Sequence, residues 1–269
     1  MSRESRTARL NNGLRMPRLG LGVWQVKNEK TAEVVKWALA SGYRQIDTAR
    51  VYGNEEGVGR GIAESGVDRK DIWVTTKLGV GDIRRAEEAF WQSLARLGMD
   101  YVDLYLVHWP MWGWKEAWKG LERIYKSGRA RAIGVSNFDR GHLEEMEKFA
   151  RVMPAVDQVE ISPFLQRREL REYCREREIV VEAYSPLTHG KRLHDATIEQ
   201  TAKKYKKTPA QIMIRWGLQR GIIMIPKSEK REHVESNAEV WDFELEEADM
   251  AKLEALDKNE SEFPLWSRG

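Results

Sequence analysis

The sequence predicts a (β/α)8 barrel with an N-terminal β-hairpin cap, and three observations predict it. Eight short β-rich runs alternate with segments of helical periodicity, and no break in composition separates the repeats. The β-rich runs are nearly continuous in apolar residues, as strands are when a parallel sheet is covered on both faces. The length of 269 residues suits one such barrel, a fold that commonly runs to about 250 residues as one domain. We therefore expect a single domain over residues 1–269.

Taken in order, ARLNNGLRMPRLG near the start reads as a hairpin, with Asn12-Gly13 as the pair that best tolerates the positive φ of a tight turn. The β-rich runs that follow are LGLGVW (19–24), RQID (44–47), IWVTTK (72–77), VDLYLVH (102–108), RAIGVS (131–136), VDQVE (156–160), IVVEAYS (179–185) and GIIMIP (221–226). Between them lie one-sided helical segments. In DIRRAEEAFWQSLARLG, Phe90, Leu94 and Leu97 fall at i, i+4 and i+7, and Gly98 is the stop signal. In WKEAWKGLERIYKSG, Ala117, Trp118, Leu121, Ile124 and Tyr125 form one stripe, ended by Gly128.

Composition narrows the function classes. Lys and Arg total 45 against 42 for Asp and Glu, a net +3 scattered along the chain, so no basic stripe suggests nucleic acid. The 41 % apolar content supports a large core, and no apolar run approaches the ~20 residues of a membrane span. The charged start, MSRESRTARLNNG, does not read as a secretory signal. Cys174 is the only cysteine, so no internal disulfide and no multi-cysteine metal site can form, which suits a reducing cytoplasm. A charged fraction of 32 % with few Asn and Gln leans towards heat adaptation.

In a barrel of this kind the chemistry lies at the C-terminal ends of the strands. Here those ends carry Trp24, Asp47, Lys77, His108, Ser136 with Asn137, Gln158 with Glu160, Tyr184 with Ser185, and Pro226 with Lys227 and Ser228. Just past the second strand, IDTARVYGNEEGVG sets Tyr52 five positions after Asp47. A phenol in water, with a pKa of ~10, is a weak proton donor at neutral pH. A nearby ammonium stabilises the phenolate, and a carboxylate keeps that ammonium charged and in place. Asp47, Lys77 and Tyr52 are the parts such a device needs, and His108 can bind a substrate oxygen. Such a rim suits hydride attack on a carbonyl, where negative charge grows on oxygen, and it calls for a hydride-carrying cofactor.

The segments LNNGLRMPRLGLGVWQ, RQIDTARVYGNEEGVG, VTTKL, DLYLVHWP, IGVSNF, QVE, YSPL and IPKS stand in the order and spacing of the aldo-keto reductase family. The resemblance runs from about residue 9 to about residue 257. It implies a barrel enzyme that reduces carbonyls to alcohols with a nicotinamide cofactor, and a monomer. By position, Tyr52 resembles the family's general acid, Lys77 and Asp47 its tuning pair, and His108 its carbonyl-orienting residue. Ser136, Asn137 and Gln158 resemble the residues at the carboxamide, and Tyr184 the platform under the nicotinamide ring. Ser185 and Leu187 match positions near the pyrophosphate, Lys227 and Ser228 positions at the 2′-phosphate, and Asn237 an adenine contact. In many members an arginine and a glutamate follow the lysine of IPKS by six and nine residues; here His233 and Ser236 stand there. Histidine is largely neutral at pH 7 where arginine is charged, and Arg231 is near enough to substitute. NADPH is the expected cofactor, with NADH as a secondary one. The expected substrates are small carbonyl compounds: aromatic or aliphatic aldehydes, keto-sugars or ketoacids.

Plainer readings compete. An Asp–Lys pair alone is more often a rim salt bridge, and a lone histidine more often a satisfied core residue; it is the set of four that favours chemistry. His142, His189, His194 and His233 read as surface residues. The glycines of GNEEGVGRG lie inside a helix instead of opening one, so they read as close-packing positions and not as a dinucleotide fingerprint. Trp37, Trp91, Trp118 and Trp216 lie on helical segments and suit the barrel layers, whereas Trp24, Trp109, Trp112 and Trp114 lie at strand ends, where they would wall a substrate pocket. The tail SEFPLWSRG, with Trp266, is placed to fold over the mouth or to hang free. Asp47 with Glu160 could suggest a glycosidase, but that chemistry needs two carboxylates about 5 to 9.5 Å apart and leaves Tyr52 and Lys77 idle. A cofactor-binding regulatory subunit has no use for a tuned acid.

Overall fold

The computed structural model describes residues 6–263. The chain opens with an antiparallel hairpin, β1 (Thr7–Arg9) and β2 (Arg15–Pro17). Eight parallel strands then follow in chain order: β3 (Leu21–Gly22), β4 (Gln45–Asp47), β5 (Trp73–Leu78), β6 (Val102–Val107), β7 (Ala130–Ser136), β8 (Val156–Glu160), β9 (Val180–Tyr184) and β10 (Ile223–Met224). All eight coincide with the β-rich runs of the sequence. The last returns to the first: Met224 N donates to Arg18 O at 2.9 Å, Gly20 N to Met224 O at 2.9 Å, and Gly22 N to Pro226 O at 3.1 Å. The sheet thus closes on itself, which removes the unpaired edges an open sheet would expose.

The helices pack outside this ring. They are α1 (Asn28–Ala40), α2 (Glu55–Ala63), α3 (Ala86–Leu97), α4 (Trp114–Lys126), α5 (Arg140–Met146), α6 (Arg168–Glu176), α7 (Ala196–Tyr205), α8 (Pro209–Gln219), α9 (Arg231–Ala238) and α10 (Glu247–Glu254). The segment ahead of α3 departs from the helical reading, because Val80–Arg85 forms 3-10 turns before the helix begins. Among the described residues, no helix is long and apolar enough to cross a membrane.

Strand alternation divides the core in two. Outward-facing Ile46, Val74, Tyr105, Val107, Ile133 and Val135 meet the helices. Inward-facing Trp73, Leu104, Leu106, Ala132, Val156 and Ile223 fill the lower half of the ring, and Leu10 and Met16 of the hairpin close it from below. The hairpin is therefore a plug as well as a cap. Its connection is a longer loop than the sequence suggests: Leu10 N donates to Leu14 O at 2.9 Å, and only Gly13 takes a positive φ, +85°. Asn12 instead donates from its side chain to Arg131 O at 3.0 Å, which ties the plug to the ring.

Above the plug the interior turns polar, with Gln45, Asp47, Lys77, Gln158 and Glu182 all buried. The placement of this layer depends on α2, which is wedged between α1 and α3 and begins just after Tyr52. A methyl group on Gly57 would stand 2.5 Å from Asn28 O, and one on Gly59 only 2.1 Å from Leu97 O. These backbone contacts cannot give way cheaply, so the two glycines are close-packing positions, as the sequence indicates. We expect Gly59→Ala to cost about 2–3 kcal/mol through overpacking. Chemical denaturation checks this, and a midpoint within error of the parent protein would contradict the packing argument.

Candidate active site

Asp47 pairs with Thr75 in the ladder and Lys77 with Leu106. Lys77 and His108 thus each stand two residues past their neighbour's partner, on the same inner face, climbing with the stagger of the barrel. Lys77 is fully buried. Its ammonium has three hydrogens and finds three acceptors: Asp47 Oδ1 at 2.6 Å, Thr48 O at 2.9 Å and Tyr52 Oη at 3.4 Å. Burial opposes the charge on Lys77, yet Asp47 and Tyr52 outweigh it and hold the lysine above its usual range. Asp47 is itself pushed up by burial, against the pull of Lys77.

The phenol behaves differently from the expectation of a net-acidified tyrosine. Burial raises Tyr52 above its ordinary value of 10.0, Lys77 pulls it down and Asp47 pushes it up, leaving it raised overall. The lysine thus acts in the expected direction but does not win in the resting site, because losing water costs the phenolate more. Tyr52 consequently holds its proton throughout the physiological range. His108 is held well below its usual value of 6.5 by burial and then by Lys77, so the imidazole is neutral. Its ring stands edge-on to Tyr52, 5.7 Å between centroids, and its Nδ1 is buried with no protein partner.

Tyr52 ends a 3-10 turn, Arg50–Tyr52, closed by Gly53 at φ +68°. Two ties hold that turn. Arg50 pairs with Asp82 at 2.6 Å, and buried Asn54 donates to Val23 O at 2.8 Å and Val26 O at 2.9 Å while accepting from Thr48 Oγ1 at 2.7 Å. Asn54 escaped the sequence reading. An Asn directly before a helix looks like an ordinary cap, but its side chain makes no cap bond here.

On the opposite side of the mouth, Ser136 Oγ donates to Gln158 O at 2.8 Å. Asn137, at φ +63°, donates to His108 O at 3.1 Å, and the Tyr184 hydroxyl donates to Asn137 Oδ1 at 2.8 Å. Ser136, Asn137, Gln158 and Tyr184 are thus gathered beside His108. Ser185 and Leu187 lead into a short turn, Thr188–Gly190, where Ser185 Oγ lies 3.2 Å from His189 Nε2. Lys227 and Ser228 follow β10, and Lys227 pairs with Glu229 at 2.6 Å. Arg231 is exposed and pairs with Glu235 at 2.7 Å, His233 is exposed, and Asn237 is buried.

The tryptophans separate. Trp24 and Trp109 stand at the mouth, half-buried. Trp112 is 81 % exposed, with the Arg84 guanidinium 4.9 Å over its ring, so it faces solvent and not the pocket. Trp114 turns inward, 7 % exposed, and packs edge-on to Phe138 with 5.0 Å between centroids. As the first residue of α4 it points back into the layer between ring and helices, behind the pocket wall. The described part of the tail does cross the mouth. Glu160 accepts from Ser261 Oγ and, at 2.8 Å, from Glu262 N, and Phe263 stands edge-on to Trp24 and Tyr184. Glu160 thus anchors the tail. Trp266 lies outside the described residues.

A family model described as the Aldo/keto reductase family matches residues 18–258. The chain belongs to the aldo/keto reductase family. It is 49 % identical over 258 residues to a glyoxal reductase of Bacillus subtilis (strain 168), with 94 % of each chain covered. Among solved structures it resembles an aldo-keto reductase from a deep-sea metagenome library, MGS-M4, with a TM-score of 0.93 and 42 % identity over 94 % of this chain and 96 % of that one. It also resembles a Bombyx mori aldo-keto reductase solved in complex with NADP, with a TM-score of 0.90 and 34 % identity over 95 % and 94 %.

As an oxidoreductase of this family, the protein carries at its centre a proton-bearing phenol and a neutral imidazole, backed by a buried ammonium whose charge is fixed. The charge rests on one carboxylate, so that carboxylate is the residue to remove. We expect Asp47→Asn to cost about 3–5 kcal/mol, because it strands a buried cation. Adding Lys77→Met to Asp47→Asn should recover much of that loss. A double-mutant cycle by urea unfolding decides the matter, and purely additive losses would show that the two groups are not coupled.

Proposed function

We propose that the enzyme reduces aldehydes and ketones to alcohols with NADPH, Tyr52 supplying the proton and His108 holding the carbonyl oxygen. The observation that carries this reading is the Lys77 ammonium, with all three hydrogens directed at Asp47, Thr48 O and Tyr52. As the carbonyl oxygen gains charge, Tyr52 Oη–H can pass its proton to it, and the phenolate left behind faces an ammonium already in place. The lysine contributes most once charge has moved, so a phenol that is a weak acid at rest is consistent with the role. Neutral His108 keeps one N–H to offer the same oxygen.

The residues fit a nicotinamide dinucleotide. Ser136, Asn137, Gln158 and Tyr184 offer amide-recognising groups and an aromatic face beside His108, and Lys227 stands at the end of β10, where this fold customarily holds phosphate. When bound, the cofactor supplies the hydride. Lys227 is not alone: Glu229, its partner, is held below its ordinary range first by the bond from Lys227 and also by the charges of Lys30 and Lys27. Three lysines round one carboxylate favour a phosphorylated ribose once that carboxylate yields, and they leave NADH usable. Aromatic walls from Trp24, Trp109 and Phe263 suit small planar carbonyl compounds, and the glyoxal reductase relative points to reactive aldehydes of that size.

Two outcomes follow. Tyr52→Phe should lower aldehyde-dependent NADPH oxidation by about 10² to 10⁴-fold while the Kd for NADPH stays within threefold, read by tyrosine-independent cofactor fluorescence; an active phenylalanine variant would remove Tyr52 from the chemistry. Glu229→Gln should lower the KM for NADPH by up to about fivefold and leave that for NADH unchanged. Equal changes for both cofactors would show that Glu229 does not face the phosphate.

A further inference from the structure

One buried acid has no part in the chemistry so far. Glu182 on β9 is fully buried and is paired in the ladder with Gln158 on one side and Ile223 on the other. Its Oε1 accepts from Gln45 Nε2, and its Oε2 accepts from Gln158 Nε2 at 2.7 Å. The same Gln158 nitrogen donates its other hydrogen to Asp47 Oδ2 at 2.8 Å. One amide thus bridges two carboxyl groups, and an unbroken chain runs Glu182, Gln158, Asp47, Lys77, Tyr52. Both hydrogens of Gln158 are spent on it, which leaves only the amide oxygen to meet a ligand.

We propose that Glu182 is a positioning residue whose charge, acting through this chain, governs how readily Tyr52 releases its proton; the inference rests on the reading of Tyr52 as the acid. The charged groups facing Glu182 are Asp47 from β4 and Lys77 from β5, with Tyr52 beyond them. Gln45 from β4 and Gln158 from β8 are neutral, and β10 sets Ile223 beside it. Lys77 is already matched by Asp47, so a second carboxylate would be a buried charge in excess. Burial first, and then the charge of Asp47, push Glu182 up to about 8. At neutral pH it is therefore a carboxylic acid with a proton to donate. An acceptor stands ready, because Gln45 Oε1 is buried without a partner. A half-turn of that amide, which preserves its shape, presents the oxygen to Glu182 Oε1.

The direction of the effect follows from the charges. An ionised Glu182 raises both Tyr52 and Lys77, so it makes the phenol a more reluctant acid. While Glu182 is protonated this influence is absent and reduction proceeds at its full rate. As the pH rises through about 8 the carboxyl ionises, and the rate of carbonyl reduction falls.

The test is the pH profile of kcat/KM for an aldehyde with NADPH, in the parent enzyme and in Glu182→Gln, which keeps the shape and cannot ionise. We expect the alkaline limb of the parent to lie near 8 and that of the variant to move upward by about one unit or more. A merely structural glutamate would lower stability and leave the limb in place, so superimposable profiles overturn the proposal. If Tyr52→Phe remains active, the failure lies instead in the assignment of the acid. Should Glu182→Gln not fold, infrared titration of the parent protein labelled with 13C-glutamate decides. A protonated glutamic acid band that persists at pH 7 and disappears near pH 8 supports the inference, and no such band at pH 7 overturns it.

Discussion

The structure is organised around one ammonium group held out of water. Burying a lysine costs several kcal/mol unless its charge and all its hydrogens are met, and the inside of an eight-stranded ring offers few ways to meet them. Lys77 succeeds because Asp47 stands on the adjacent strand, the Thr48 carbonyl follows directly, and Tyr52 returns over both on a single turn. That arrangement makes demands on its surroundings. The Tyr52 turn is tied down by Asn54 and Arg50, and α2 leaves the turn at a depth that only glycines at 57 and 59 allow.

The division of the barrel interior has the same origin. Below, Leu104, Leu106, Trp73 and the hairpin residues Leu10 and Met16 pack as one apolar cluster and supply burial energy. Above, two glutamines, two carboxyl groups and a lysine form a connected network in place of apolar packing. Such a network is tolerable only when nearly every member is satisfied, and here its members mostly satisfy one another. Glu160, a carboxylate at the end of β8, is excluded from it and holds the C-terminal segment instead. The two acids that could have suggested a hydrolase therefore serve unrelated ends.

Much of this was legible in the chain. The strands announced themselves through β-branched runs, because covering a parallel sheet on both faces leaves little room for polar residues. Asp47, Lys77 and His108 were legible because strand ends are where this fold gathers side chains beneath its mouth, and Tyr52 because of its spacing from Asp47. The misreadings share a cause. Trp114 and Trp112 follow a strand as Trp109 does, yet one points into the core and the other to solvent, since loop geometry and not position along the chain sets direction. Asn54, Gln45 and Glu182 gave no signal at all, because a polar residue in a strand or before a helix looks ordinary until its partners, drawn from other strands, are known.

The order of residues alone sets the periodic pattern, hence the barrel, its hairpin and the identities of the groups at its rim. These are local properties, written in alternation, spacing and the glycines that end or crowd helices. The balance of energies among those groups is set by the folded arrangement. Whether Tyr52 is raised or lowered, whether His108 is charged and which carboxyl keeps its proton all depend on burial and on charges brought from distant strands. Such effects act across a few ångströms of space and leave no mark on the order of residues.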